Sequence, residues 1–166
     1  SDEIVYQRGG KPAERPQLPV IPLGVDAHSL LPKCSRKEAR RLINLPDDAV
    51  VVLWRGRFEL HCKAHHGSTF SALAHASAAV PTKKWILLMY GTAVMPTIPK
   101  ALKEAAQALC PDVDVRLLNG HDIELGDLAR CASDIALSLV DCLQETFGLA
   151  PVEAMAAGLP VVVSNW

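Results

Sequence analysis

Two basic and two acidic residues carry the chemistry that this sequence suggests. Arg57 and Lys63 stand six residues apart in WRGRFELHCK, and Glu145 and Glu153 stand eight apart in QETFGLAPVEAMAAGLPVVV, with Gly148 between them. Two nearby cations can neutralise a diphosphate, the part a divalent metal plays in other enzymes. A glycine at the start of a helix leaves the amides of Gly148, Leu149 and Ala150 free, where unpaired donors and the helix dipole favour an anion. Gly148 also permits close backbone approach. Glu153, about two turns into that helix, can accept bonds from a ribose diol. Glu145, in the loop before it, can hold sugar hydroxyls or stabilise positive charge developing at an anomeric carbon. Together these groups suit a diphosphate-linked sugar.

Such a site needs elements that bring distant segments to one place. Five short apolar runs are predicted as strands: Ala49 to Trp54 (AVVVLW), Trp85 to Tyr90 (WILLMY), Val113 to Leu118, Ile135 to Leu139, and a fifth opening over Pro160 to Val163. Four helices alternate with them: Ser68 to Val80, closed by Pro81; Thr97 to Cys110, with Thr97 as cap, Pro99 in the first turn and Pro111 past the end; Ile123 to Ala132; and Phe147 to Ala157, ended by Gly158. Runs that are apolar throughout are expected to be buried on both faces, as in a parallel sheet covered by helices. The right-handed crossover rule makes this an α/β, Rossmann-like, doubly wound domain, whose ligands bind at the carboxyl ends of the strands. Both segments above follow such ends. Before the first strand, LPVIPLGV is extended and proline-interrupted, and Ser35 with Glu38 forms a capping box for a short helix through Ala39, Leu42 and Ile43. Residues 1–17 read as an irregular lead-in and 18–166 as the domain. The chain stops directly after a strand, so the domain is expected to be truncated at both ends.

Composition sets the outer limits. A net charge of -1 gives no basic footprint for nucleic acid, and no apolar run reaches the ~18 residues that span a bilayer. The five cysteines are odd in number, irregularly spaced and without a CxxC pair, which reads as reduced thiols in a cytoplasmic protein. His61, Cys62, His65 and His66 cluster closely enough to suggest zinc, but a dication there would compete with Arg57 and Lys63. They are expected instead to be solvated loop histidines near the sugar or acceptor. His121 and Asp122 are expected in a plain turn, and Trp54 and Trp85 in the core; Trp166 has no assigned neighbour.

Two glutamates at this spacing arise easily by chance; the string around them is far more restrictive. The segment from Glu145 to Val163 resembles the signature E-x-FG-L-x-x-x-EAMA-x-G-x-PVV of the retaining glycosyltransferases with the GT-B fold, the glycosyl transferases group 1 family. Gly56, Arg57 and Lys63 are similar to that family's GR followed by Lys. Pro22, Leu23, Gly24, Val25 and Asp26 resemble its PxGVD opening. The chain departs from the pattern at Ala64, where the family usually has glycine, and at Val140 to Leu143, where it often has a Pro-Ser pair.

The resemblance implies the C-terminal, nucleotide-sugar-binding half of a GT-B enzyme. Its donor-binding set would be Arg57, Lys63, Glu145, Thr146, Phe147, Gly148, Leu149 and Glu153. Arg57 and Lys63 would bind the diphosphate, Glu145 would act at the anomeric centre as the catalytic residue, and Glu153 would bind the ribose. Transfer would retain the anomeric configuration and need no metal or other cofactor. The acceptor would be held by a missing N-terminal domain, and any membrane association would come only through that half. Polysaccharide or glycolipid synthesis is the family's common setting. A non-catalytic nucleotide-binding or assembly module, or a sugar epimerase or phosphorylase relative, is the alternative.

Overall fold

The computed structural model describes residues 19–59, 65–140 and 148–164. Residues 19–25 run without regular structure, as the prolines dictate, and Asp26 then caps a short helix, α1 (Ala27–Leu30), accepting from the amides of His28 and Ser29. In α2 (Arg36–Leu42) the Ser35 hydroxyl accepts from the Glu38 amide at 3.2 Å, but Glu38 turns to Arg41 rather than back to the cap. Only half of the capping box forms.

Five parallel strands follow, separated by four helices: β1 (Val50–Arg55), α3 (His66–Ala79), β2 (Trp85–Gly91), α4 (Ile98–Leu109), β3 (Val113–Asn119), α5 (Ile123–Ala132), β4 (Ile135–Ser138), α6 (Leu149–Ala156) and β5 (Val161–Val163). Their order in the sheet is β3-β2-β1-β4-β5. The chain thus starts in the middle, winds outward to β3, returns to place β4 beside β1, and ends at β5. The order reverses between β1 and β4, which pair through Val52 with Ile135 and Leu53 with Ala136. Ligands of doubly wound sheets bind at such a reversal.

Side chains along each strand alternate between two cores. Val51, Leu53, Ile86, Leu88 and Tyr90 face Ala39, Ala129, Ala132 and Ala154 of α2, α5 and α6. Val52, Trp54, Leu87 and Met89 face Phe70, Leu73, Leu102 and Ala106 of α3 and α4. Fully buried Phe70, Leu87 and Met89 stabilise the sheet by about 1.5–3 kcal/mol apiece relative to exposure. In α4, Ile98, Leu102 and Ala106 recur every four residues and supply its buried stripe.

Three further expectations need correction. Burial on both faces fails at β5, where Val162 and Val163 are exposed, because β5 is the sheet's outer strand. Thr97 occupies the cap position of α4 with helical backbone angles and makes no side-chain cap bond. Helix α3 begins at His66, earlier than expected, and His66 is not a solvated loop residue: it is buried, its ring edge-on to Trp54 with centroids 4.7 Å apart. The lead-in, Trp166 and the start of the last predicted helix at Phe147 lie outside the described residues.

Candidate functional site

Because every strand is parallel, the ends of β1 and β4 open on the same edge of the sheet. At that edge β1 and β2 stay close beyond their ladder. The Gly56 amide donates to the Tyr90 carbonyl at 3.2 Å and the Phe58 amide to the Thr92 carbonyl at 2.8 Å. A Cβ at Gly91 would overlap the carbonyl oxygen of Gly56, so only glycine allows this approach. On its other side Gly91 accepts at 2.8 Å from the Gly120 amide, and the Tyr90 hydroxyl donates to the carbonyls of Gly120 at 2.9 Å and Asp122 at 3.1 Å. The ends of β1, β2 and β3 are thereby fixed to one another.

Arg57 leaves this rim with its side chain 61% exposed, 3.5 Å from Glu59, which is itself mostly buried. A solvent-facing guanidinium keeps most of its donors for a ligand. Across the reversal, Gly148 precedes α6 with φ of 69°, a left-handed conformation that favours glycine. Among the described residues no side chain caps α6, and no acidic residue sits in its first turn. Leading amides of a helix are unpaired within it, and the positive end of its dipole favours an anion. Leu149 is the first helical residue.

Glu153, in the second turn of α6, forms an ion pair with Arg55, the last residue of β1. The two line a narrow cleft with Arg130, Ser138, Ala150 and Pro151. Arg55 also lies over the Tyr90 ring, 5.9 Å from its centroid. Burial pulls the Arg55 pKa below the usual arginine value, and the nearby charge of Arg130 acts in the same direction. Arg130 is held by Asp127, which also pairs with Lys33. Sequence reasoning missed Arg55; the available signal was a charged residue closing an otherwise apolar strand.

Of the site residues expected from sequence, Arg57 follows β1, Gly148 and Leu149 open α6, and Glu153 meets β1 through Arg55. Lys63, Glu145, Thr146 and Phe147 lie outside the described residues, as do His61 and Cys62. Among the described residues no group of three or more His, Cys, Asp or Glu side chains could hold a metal ion. His121 is exposed in a turn where its amide donates to Asn119, and Asp122 caps α5 by accepting from the Leu125 amide at 2.9 Å, so that segment is the plain turn expected. No helix among the described residues is long and apolar enough to cross a membrane.

Residues 49–166 match the family model described as glycosyl transferases group 1. The chain belongs to the glycosyl transferases group 1 family. It is 30% identical over 160 residues to a D-inositol 3-phosphate glycosyltransferase of Xylanimonas cellulosilytica, an alignment covering 92% of this chain and 36% of that protein. The chain thus spans about a third of that relative's length. Among solved structures it is similar to the C-terminal domain of a glycosyl transferase group 1 family protein from Francisella tularensis, with a TM-score of 0.58, 19% identity, and coverage of 84% of this chain and 70% of that one. It is also similar to the Anabaena protein HepE, solved in complex with UDP and glucose, with a TM-score of 0.63, 23% identity, and coverage of 95% and 40%. The fold is that of the C-terminal half of the GT-B group 1 glycosyltransferases.

Proposed function

We propose that this chain is the donor-binding domain of a retaining, metal-independent glycosyltransferase that uses a nucleotide-diphosphate sugar. The observation that carries the reading is the juxtaposition at the β1/β4 reversal. The outward-facing Arg57 follows β1, and the start of α6 at Gly148 follows β4, the strand paired with β1. Two sources of positive potential there suit a diphosphate. Family membership and the Anabaena relative's complex with UDP and glucose support the same ligand class.

In this reading Arg57, with Lys63, holds the diphosphate against the amides of Gly148 and Leu149, and Glu153 receives the ribose. The bond between the anomeric carbon and the diphosphate breaks with its electron pair leaving on the diphosphate, where those donors stabilise the growing charge. Glu145 stabilises the positive charge at the anomeric carbon, and the acceptor hydroxyl bonds through its oxygen to the same face of the sugar as its proton passes to the departing diphosphate. The acceptor is held by an N-terminal domain, in keeping with the share of the curated relative that this chain spans. Polysaccharide or glycolipid synthesis is the setting we favour. A cytoplasmic location is supported by the free thiols of Cys34, Cys110 and Cys131.

The test is calorimetric titration of the folded chain with UDP, GDP and ADP in the presence of a metal chelator. Saturable binding of one of them is expected. A folded chain that binds none at millimolar concentration overturns the reading in favour of a non-catalytic module. Rapid sugar transfer by this chain with no second domain present would contradict the division of labour.

A further inference from the structure

We propose that Arg55 is a positioning residue that sets the domain's selectivity for a ribose diol by fixing the carboxylate of Glu153. The proposal rests on Glu153 being the ribose-binding residue, as read above. Arg55 ends β1 and Glu153 lies in α6, so their ion pair spans the switch point of the sheet and ties the ligand-bearing helix to the central strand. Both groups are partly buried, with side-chain exposures of 34% and 22%. A carboxylate in such a place stays ionised, and in one rotamer, when a cation holds it.

The arithmetic of lone pairs leaves room for a ligand. An ionised carboxylate accepts about four hydrogen bonds, and the ion pair brings Nη1 of Arg55 to Oε2. Oε1 and the remaining lone pair of Oε2 can accept two vicinal hydroxyl groups at once. Arg55 is held from three sides: by Glu153, by the Tyr90 ring beneath it, and by the repelling Arg130, whose own charge is committed to Asp127. Asp127 also attracts the guanidinium, but its carboxylate is shared with Arg130 and Lys33, and the ion pair that Arg55 itself forms is with Glu153 of α6. Arg57, two residues on, faces solvent and meets the diphosphate. The pair Arg55 and Arg57 thus divides the work: one cation orients a protein carboxylate, the other binds the ligand's charge.

The test compares binding of a nucleoside diphosphate with its 2′-deoxy counterpart, by titration calorimetry on the folded chain. Wild type is expected to favour the ribonucleotide by about tenfold or more, the usual result of removing a hydroxyl bonded to a charged acceptor. Arg55→Met should bring that ratio to within about threefold of unity by the same account, while deoxynucleotide affinity changes little. Glu153→Gln should lose the preference too, and adding Arg55→Met to Glu153→Gln should then have no further effect on the ratio, because the arginine acts through the carboxylate. A merely structural Arg55 would weaken both nucleotides equally and leave the ratio intact, which overturns the proposal. A gain in ribonucleotide affinity would make Arg55 a competitor for Glu153 and would also overturn it. Should Arg55→Met fail to fold, Arg55→Gln carries the same comparison: a ratio reduced severalfold supports the proposal, and a wild-type ratio sinks it. If wild type binds nucleotides without preferring ribose, Arg55 has no such role although the donor reading stands. If it binds none, both fall.

Discussion

The guanidinium of Arg40 and the carboxylate of Asp134 meet at 2.7 Å in an ion pair whose arginine side chain is only 4% exposed. The same carboxylate oxygen accepts from the Val51 amide at 2.8 Å, and the Asp134 amide donates to the Val51 carbonyl at 2.8 Å. One aspartate therefore joins α2, β1 and the start of β4, and holds β4 beside β1 where the strand order reverses. Asp134→Ala removes the counter-charge of a buried guanidinium, leaving it the carbonyls of Pro46, Asp47 and Ala132, and should cost about 2–4 kcal/mol. Urea denaturation checks this; a loss under ~0.5 kcal/mol, the usual effect of a surface substitution, would deny Asp134 that role.

Gly91→Ala is expected to be worse than its one added methyl group suggests. The new Cβ meets the backbone of Gly56, which no rotamer change can move. Overpacking of this kind costs at least about 1–3 kcal/mol, and the shift should propagate to Arg57. The melting temperature and nucleotide affinity should both fall. A variant as stable as wild type would mean that β1 and β2 do not approach so closely.

Arg57→Ala separates binding from folding. The side chain is mostly exposed, so stability should stay within ~0.5 kcal/mol. Nucleoside diphosphate affinity should drop about tenfold to a hundredfold, the range for a charge-assisted contact, while nucleoside affinity changes little. Equal losses for nucleoside and diphosphate would move Arg57 away from the phosphates.

Burial pushes the thiol of Cys110 up from its ordinary value. In the unfolded chain that thiol ionises at the ordinary value of a cysteine. The folded state holds its proton to higher pH, so the stability from this group is complete below the unfolded pKa and is lost as pH rises through the folded one. Urea midpoints should fall as pH climbs above ~8.5, and Cys110→Ala should flatten that decline. An unchanged slope in the variant would place the loss elsewhere.

The strands and their alternation with helices were legible because parallel strands buried on both faces are written as unbroken apolar runs. Val51 to Trp54 and Ile86 to Tyr90 are the clearest. Gly148 was legible as a helix start because the residue needed there is special. The ion pair of Arg55 with Glu153 was not: each looks like an isolated charge until β4 is set beside β1, and strand order is a long-range property. His66 misled for the opposite reason. Its neighbours His61, Cys62 and His65 suggested a solvated cluster, whereas contact with Trp54 and Phe70 places it in the core.

The rim where β1, β2 and β3 end has consequences for how this domain could be retuned. At Gly56, Gly91 and Gly120 there is no side chain to exchange, and any addition collides with a neighbour. Point mutation cannot sculpt that stretch into a new specificity without damaging the scaffold. Divergence in what the domain accepts must be written into the segments that spring from the rim, so the floor is inherited as shape while the walls are free to drift.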